Sequence, residues 1–266
     1  MNKKQKAKGR IIIGAILLLI SICVLQYNEN SIMTNAEVDK TIGWGIKRAT
    51  NNMQPDVGTS NKKILEDNGG ICLGKDTEKV IYLTFDEGYE AGYTENILNT
   101  LKQNDIKATF FITAHYLNTQ PDLVKQMIDE GHIVGNHTVN HKSMPEIKDE
   151  EIKDEVMKLH QAVYEKFGYE MKYIRPPKGE FSERTLSLSE SLGYKNVMWS
   201  FAYVDWDDNK QPSQEAALEK IISNLHNGEI MLLHATSKTN SEIMGEMIKK
   251  VKIEGYEFRS IDDFVK

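Results

Sequence analysis

The chain predicts an α/β fold, a distorted and incomplete (β/α)7 barrel with its active site at the C-terminal ends of parallel strands. Three observations lead there. From Glu78 onward, short runs rich in apolar and β-branched residues alternate with amphipathic segments at helical spacing. Seven such runs occupy the length to residue 264, with no solenoid repeat or low-complexity tract among them. The polar residues best suited to chemistry, Asp86, Glu87, His137, His141, Arg175, Asp205, Trp206 and His234, fall at the ends of those runs or in the loops that follow. In a parallel sheet these ends share one face.

In order, strands are expected at 80–85, 108–113, 133–136, 172–175, 196–200, 230–234 and 257–261. The first, Val80-Ile81-Tyr82-Leu83-Thr84-Phe85, is apolar almost throughout, as suits a buried strand. Thr119 is placed to cap a helix that has Pro121 at an early position and Gly131 as its stop. Ile152, Val156, Leu159, Val163 and Phe167 form an apolar stripe ending at Gly168. A hydrophobic fraction of 40% and a charged fraction of 27% are ordinary for a globular protein and exclude a mostly disordered chain. A length of 266 residues allows one large α/β domain but not two with linkers.

Two regions precede that domain. Residues 1–36 read as a signal peptide or N-terminal membrane anchor. Lys3, Lys4, Lys6, Lys8 and Arg10 lead into the uncharged run from Ile11 to Leu25, and Thr34-Asn35-Ala36 offers a small-residue cleavage site. The run is shorter than the ~20 residues that usually span a bilayer, but Gln26 and Tyr27 can lie at the interface. Cleaved and uncleaved forms therefore both stay open, the second implying attachment to the membrane. In either form the basic end stays cytoplasmic and the rest is exported, to the extracytoplasmic face of the membrane or the cell wall. Residues 37–77 read as a polar lead-in rich in Asn, Asp, Gly and Lys, with Trp44 and Ile64 as candidate docking points, and residues 78–264 as the catalytic domain. Setting the five basic residues of the leader aside from the 33 Lys and Arg leaves 28 against 39 Asp and Glu, a balance of −11 that argues against nucleic acid as a partner. Cys72 is the one cysteine outside the leader, so no internal disulfide forms there, and it reads as a packed thiol rather than a nucleophile.

Two motifs carry the chemistry. Thr84-Phe85-Asp86-Glu87-Gly88 puts two carboxylates at the end of the first strand. His137-Thr138-Val139-Asn140-His141 offers two imidazoles four residues apart, able to reach one metal ion from a helical turn or a tight loop. Taken singly, an acid pair after a strand is usually a solvated loop or a helix cap, and a His ending an apolar strand is more often a satisfied core group. Their coincidence at one end of one sheet points to metal-assisted hydrolysis. His132, His160 and His226 have strand-opening or helical positions, whereas His115 follows Phe110-Phe111-Ile112-Thr113 at another strand end and is a candidate for the cleft.

Over residues 78 to 264 the chain resembles the polysaccharide deacetylases of the NodB-homology type, carbohydrate esterase family 4. The two motifs above are followed, in the family's order, by Arg175-Pro176-Pro177-Lys178-Gly179, Asp205-Trp206 and Leu232-Leu233-His234. The stretches from Ile81 to Thr94 and from Arg175 to Leu186 are similar to the subgroup of spore formers that de-N-acetylates muramic acid in peptidoglycan on the route to muramic-δ-lactam. That subgroup is marked by a replacement of the second acid in the first motif, where this chain has Glu87.

The resemblance implies a role for each matched residue. Asp86 would be the general base, held by Arg175; His234 would be the general acid, oriented by Asp205. His137 and His141, with Glu87 in the place of the family's aspartate, would hold a divalent metal. Zinc is the expected ion, with other first-row divalent ions also compatible. The longer Glu87 leaves three outcomes open: it ligates after a loop shift, leaves the ion to the imidazoles and water, or faces away. The backbone N–H of Lys178 would be the oxyanion donor, Trp206 and Leu232 would shape the acetyl pocket, and Lys178 or Arg184 would meet the lactyl carboxylate of muramic acid. Tyr89, Tyr93 and Tyr116 are candidates for stacking on sugar rings or for packing. The implied partners are peptidoglycan glycan strands, after an amidase has removed the stem peptide. Two other readings stay open: de-N-acetylation of N-acetylglucosamine in wall glycan or chitin-like oligomers, and an exported glycan-binding protein that has lost catalysis.

Overall fold

Along each strand, side chains alternate between two apolar environments, and that alternation builds the fold. The computed structural model describes residues 39–207 and 209–264; the expected leader lies outside them. The elements are β1 (Ile42–Gly43), α1 (Thr59–Asp67), β2 (Val80–Glu87), α2 (Thr94–Gln103), β3 (Thr109–Ile112), α3 (Ala114–Thr119), α4 (Pro121–Asp129), β4 (Ile133–Asn136), α5 (Asp149–Phe167), β5 (Tyr173–Ile174), β6 (Glu180–Phe181), α6 (Glu183–Ser191), β7 (Lys195–Asn196), α7 (Gln214–Ile222), β8 (Glu229–His234), α8 (Lys238–Ile253), β9 (Glu257–Phe258) and α9 (Ile261–Phe264). No helix among the described residues is long and apolar enough to cross a membrane.

Seven parallel strands form one sheet in the order β7-β5-β4-β3-β2-β8, with β9 beside β2. The sheet curls into an incomplete barrel, as the repeating pattern predicts. Its seam is thin: beyond β7, Phe201 meets Met231 of β8 in a single parallel bridge. The expected strand at 196–200 shortens for this reason, because after Val197 the chain leaves β5, bridges Ile71 and crosses toward β8. Outward-facing Ile81, Leu83, Phe85, Phe110, Ile112, Val134, Met231 and Leu233 pack in one cluster with apolar residues of α2, α4, α5 and α8. Inward-facing Val80, Tyr82, Phe111, Ile133, Tyr173, Val197 and Ile230 fill the barrel, joined by Ile261 of α9.

One local reading needs correction. Thr119 is the last residue of α3, its hydroxyl donating back to His115 O at 2.9 Å, and it does not cap the next helix. Thr113 is the capping residue, accepting from the Tyr116 N–H, while α4 begins at Pro121 without a side-chain cap. The described residues of the polar lead-in, from Asp39 to 77, belong to the same compact unit as the barrel, and Trp44 and Ile64 dock there. Trp44 is 9% exposed and packs with Val57, Leu65, Cys72, Phe181, Leu186 and Met198, with Ile64 against the same cluster. The Cys72 thiol is packed as expected, and burial pushes its pKa up to about 12.

Gly135 of β4 ties the fold to the cleft. A Cβ there would stand 2.5 Å from Cδ1 of Phe111, whose ring also underlies the Arg175 guanidinium. Gly135→Ala is expected to cost about 1–3 kcal/mol through overpacking. Denaturant unfolding checks this, and unchanged stability would mean the ring yields freely.

Candidate active site

One parity of each strand supplies the cleft. Counting inward from Tyr82 along β2 gives Thr84 and Asp86; counting from Ile133 along β4 gives Gly135 and His137. The same rule gives Arg175 after β5, and Leu232 and His234 on β8. These side chains emerge at the C-terminal edge of the barrel, where the strands no longer have apolar residues to bury.

Arg175 is fully buried and anchors the cluster. Its Nη1 donates to Asp86 Oδ1 at 2.8 Å, its Nη2 to Thr84 Oγ1 at 2.9 Å and its Nε to Val197 O at 3.1 Å. The guanidinium lies 4.3 Å from the centre of the Phe111 ring. Burial alone would raise the Asp86 carboxyl, but the charge of Arg175, helped by His137 and His234, holds it below the usual carboxylate range. Asp86 is therefore an ionised carboxylate at neutral pH, with Oδ2 directed toward His137 Nε2 at 3.5 Å.

The paired histidines sit on a tight loop, not a helix. Thr138 and His141 both adopt left-handed backbone conformations, with φ of 68° and 55°. The loop is secured by Asn136 Oδ1, which accepts from Thr138 N–H at 2.8 Å, and by Glu155 of α5, which accepts from both the backbone and side-chain N–H groups of Asn140 at 2.6 Å. His137 Nδ1 meets the carbonyl of Arg175 at 2.9 Å, which places the proton on Nδ1 and leaves the Nε2 lone pair facing the cleft. His141 Nε2 approaches that atom to 3.1 Å. Burial lowers both imidazoles, His141 to about 4, so both are neutral near pH 7.

On β8, beside Asp86 in the strand register, His234 Nδ1 meets Asp205 Oδ1 at 2.7 Å, and the His234 backbone N–H donates to Asp205 Oδ2 at 2.9 Å. Asn240 of α8 donates to the same Oδ2 at 2.6 Å, and its own Oδ1 accepts from the Tyr203 hydroxyl. Burial on its own would lower the His234 pKa; the hydrogen bond and charge of Asp205 more than offset it and leave His234 above its ordinary value. The Trp206 ring is 5.3 Å from that of His234.

Two cavities of about 650 and 660 Å³ meet at Asp86, His137, His141, Trp206 and His234. Lys178, Trp199 and Leu232 line the first; Tyr89, Thr113, His115, Asn140 and Thr236 line the second. His115 thus joins the cleft, while Tyr116 is buried and packs behind it. Arg184 does not reach the cleft. Its guanidinium is spent on Asp39 and Asp149, at 2.7 and 2.5 Å, and on the carbonyls of Pro145 and Ile147. Glu87 is also elsewhere: it has the parity of Phe85, so it faces the helix layer and not the imidazoles. Both its oxygens are buried without a partner, and burial, then the charges of Glu90 and Asp86, push its carboxyl well above the usual range.

A family model described as polysaccharide deacetylase matches residues 73–197. The peptidoglycan-N-acetylmuramic acid deacetylase PdaA of Bacillus subtilis is 42% identical over 228 residues, 85% of this chain and 87% of the relative. This chain belongs to the polysaccharide deacetylases. A Geobacillus stearothermophilus protein of 30.6 kDa, described as uncharacterized, is 46% identical over 93% of this chain and 94% of its own length. Among solved structures, that of PdaA, described as a family 4 carbohydrate esterase, superposes with a TM-score of 0.83 and covers 85% of this chain and 97% of its own. A family 4 carbohydrate esterase from Bacillus anthracis, 41% identical, gives 0.72 over 85% of this chain and 96% of its own.

Deacetylases of this family are metal-dependent, and the imidazole pair of this enzyme suits a divalent ion. Two ring nitrogens about 2.0–2.1 Å from one ion in tetrahedral arrangement stand roughly 3.3 Å apart, close to the 3.1 Å between the Nε2 atoms here. Among the described residues, no set of three or more His, Cys, Asp or Glu is grouped to hold a metal. Thr84, Trp199, Tyr203 and Asn240 of this deacetylase escaped the sequence reading. Inward parity could have found Thr84 and Trp199; Asn240 lies in the first turn of α8 with no local signal of its contact to Asp205.

Two outcomes follow. Glu87→Gln should keep wild-type metal content by elemental analysis, because the carboxylate faces away from the imidazoles, whereas His141→Ala should lose metal; loss in the first variant would return Glu87 to the ligand set. Asp205→Asn removes the charge that favours imidazolium. The NMR titration midpoint of His234 should fall below that of the wild type, and an unchanged midpoint would contradict Asp205 as the cause of the shift.

Proposed function

We propose that this deacetylase removes the acetyl group from N-acetylmuramic acid in peptidoglycan, acting outside the cytoplasm on muramic residues that an amidase has already freed of stem peptide. The observation that carries the chemistry is the gathering at one barrel edge of an ionised carboxylate, an imidazole of raised proton affinity and two converging neutral imidazoles, with Asp86 and His234 register partners on β2 and β8. The relation to PdaA, extending over most of both chains, favours muramic acid as the substrate.

His137 and His141 would hold the divalent ion, zinc by donor type, which when bound supplies Lewis acidity toward the acetamido oxygen and acidifies water. Asp86 accepts the proton of the attacking water as the carbon–oxygen bond forms. The backbone N–H of Lys178, a residue held left-handed at φ 60° in the cleft lining, would be the donor to the oxyanion. His234 donates a proton to the nitrogen as the carbon–nitrogen bond breaks, so a neutral amine and acetic acid leave, the acid then ionising to acetate by losing its proton to solvent. Trp206 and Leu232 line the cavity that takes the methyl group. The freed amine stands near the lactyl carboxylate of the same sugar, and its acylation by that group would give the muramic-δ-lactam of spore cortex. Complete retention of Asp86, Arg175, Asp205 and His234 in bonded positions argues against a glycan-binding protein without catalysis.

Mass spectrometry of muropeptides after incubation with peptide-free wall glycan and a divalent metal tests this. Loss of one acetyl group from muramic acid is expected, with turnover down at least about a hundredfold in Asp86→Asn. Acetyl loss confined to N-acetylglucosamine would replace muramic acid by that sugar, and no loss with any metal would overturn the catalytic reading. His234 must carry its proton to act, so activity should fall as pH rises through its raised pKa, and that alkaline limb should move to lower pH in Asp205→Asn.

A further inference from the structure

The two cavities that meet at the reacting centre differ in charge. The first is walled by Arg48, Lys178 and Lys220; the second contains neither Lys nor Arg. We propose that the cationic cavity is an anion-binding subsite for the carboxylate of the ether-linked substituent on the reacting sugar, with Arg48 as the residue that sets this specificity. The inference rests on the muramic reading above and names the residue that would enforce it.

Arg48 belongs to the segment before the barrel, and its position is fixed. Lys47 pairs with Asp56 in an antiparallel bridge, Arg48 Nη2 donates to Ala202 O at 2.9 Å, and the guanidinium lies 5.7 Å from the centre of the Phe201 ring. One N–H direction is thus committed, and the planar head retains others for an incoming carboxylate, which Arg can grip with two parallel bonds. An arginine already held by a carbonyl and a ring loses little rotamer freedom on binding. Lys178 carries positive charge to the inner end of the cavity, where it acts on His141.

Covalent geometry places the carboxylate on this side. The lactyl ether is on C3 of muramic acid, next to the C2 acetamido group, so the anion must enter whichever cavity adjoins the metal-binding imidazoles and accepts negative charge. Only the first does both. The second, lined by Tyr89, His115, Asn140 and Thr236, suits the uncharged neighbouring sugar of the alternating strand.

The test compares kcat/KM of the full chain on peptide-free wall glycan and on the same glycan with its lactyl carboxylates reduced to alcohols. Arg48→Gln should lower the ratio of native to reduced substrate by about tenfold or more, a loss typical of one charged hydrogen-bonded contact, and through KM rather than kcat. Arg48→Lys, which keeps charge without the fork, should fall between. An unchanged ratio in Arg48→Gln, including an equal loss on both substrates, would overturn the inference. If the wild type releases no acetate from muramic acid, the functional reading fails separately, and equilibrium binding of N-acetylmuramic acid and N-acetylglucosamine decides the subsite. Tighter binding of the acid, lost in Arg48→Gln, would sustain it; equal binding of the two sugars would end it.

Discussion

The ion pair between Arg175 and Asp86 lies where Arg175 has no access to water and Asp86 almost none. Taking two such charges out of water costs several kcal/mol each, and removing one partner from a buried pair typically costs about 3–5 kcal/mol, because the other is left alone. The surroundings are shaped to meet that cost: a threonine hydroxyl, a carbonyl and an aromatic face each take part of the guanidinium. The same residue acts twice. Its side chain keeps Asp86 ionised, while its backbone carbonyl fixes the tautomer of His137. Base and metal-binding face are therefore set by a single position at the end of β5, and neither can be adjusted independently of the other.

The adjacent strand β8 uses a different device. Asp205 is satisfied by the ring of His234, by that residue's own backbone N–H and by Asn240, so the carboxylate that orients the imidazole is itself held from two elements, β8 and α8. Arg175 thus stabilises a negative charge at the end of β2 and Asp205 favours a positive one at the end of the adjacent β8, with the neutral imidazoles presented from the loop after β4. This division of labour lets one barrel edge hold groups of opposite proton affinity a short distance apart.

Much of this was legible in the sequence, because period-2 alternation and strand termini are local properties. The apolar run before Asp86, the His pair and the late His234 locate both the barrel edge and the residues that converge there. The same parity also contained the answer for Glu87, adjacent residues on a strand necessarily pointing to opposite faces; reading the acids as a pair obscured it. Arg184 was misplaced for a different reason. Its partners, Asp39 and Asp149, are about 145 and 35 residues away in sequence, and no short-range pattern announces such a contact. Asn240 and Arg48 were hidden in the same way, since each reaches the cleft only through tertiary packing.

The brace formed by β1 has a practical consequence for anyone preparing a fragment of this protein. Ile42 and Gly43 pair with Phe181 and Glu180, and Trp44 grips the Lys178 loop through Gly179 O and the segment after β7 through Trp199 O. A recombinant fragment starting at residue 73, where the family match begins, would retain every motif yet expose the face that Trp44, Val57 and Leu65 cover. Burying one large aromatic is typically worth about 3–5 kcal/mol, a large part of a domain's net stability. Such a fragment would be marginal in solubility and loosened at the oxyanion loop, since the folding unit extends well before the edge of sequence similarity.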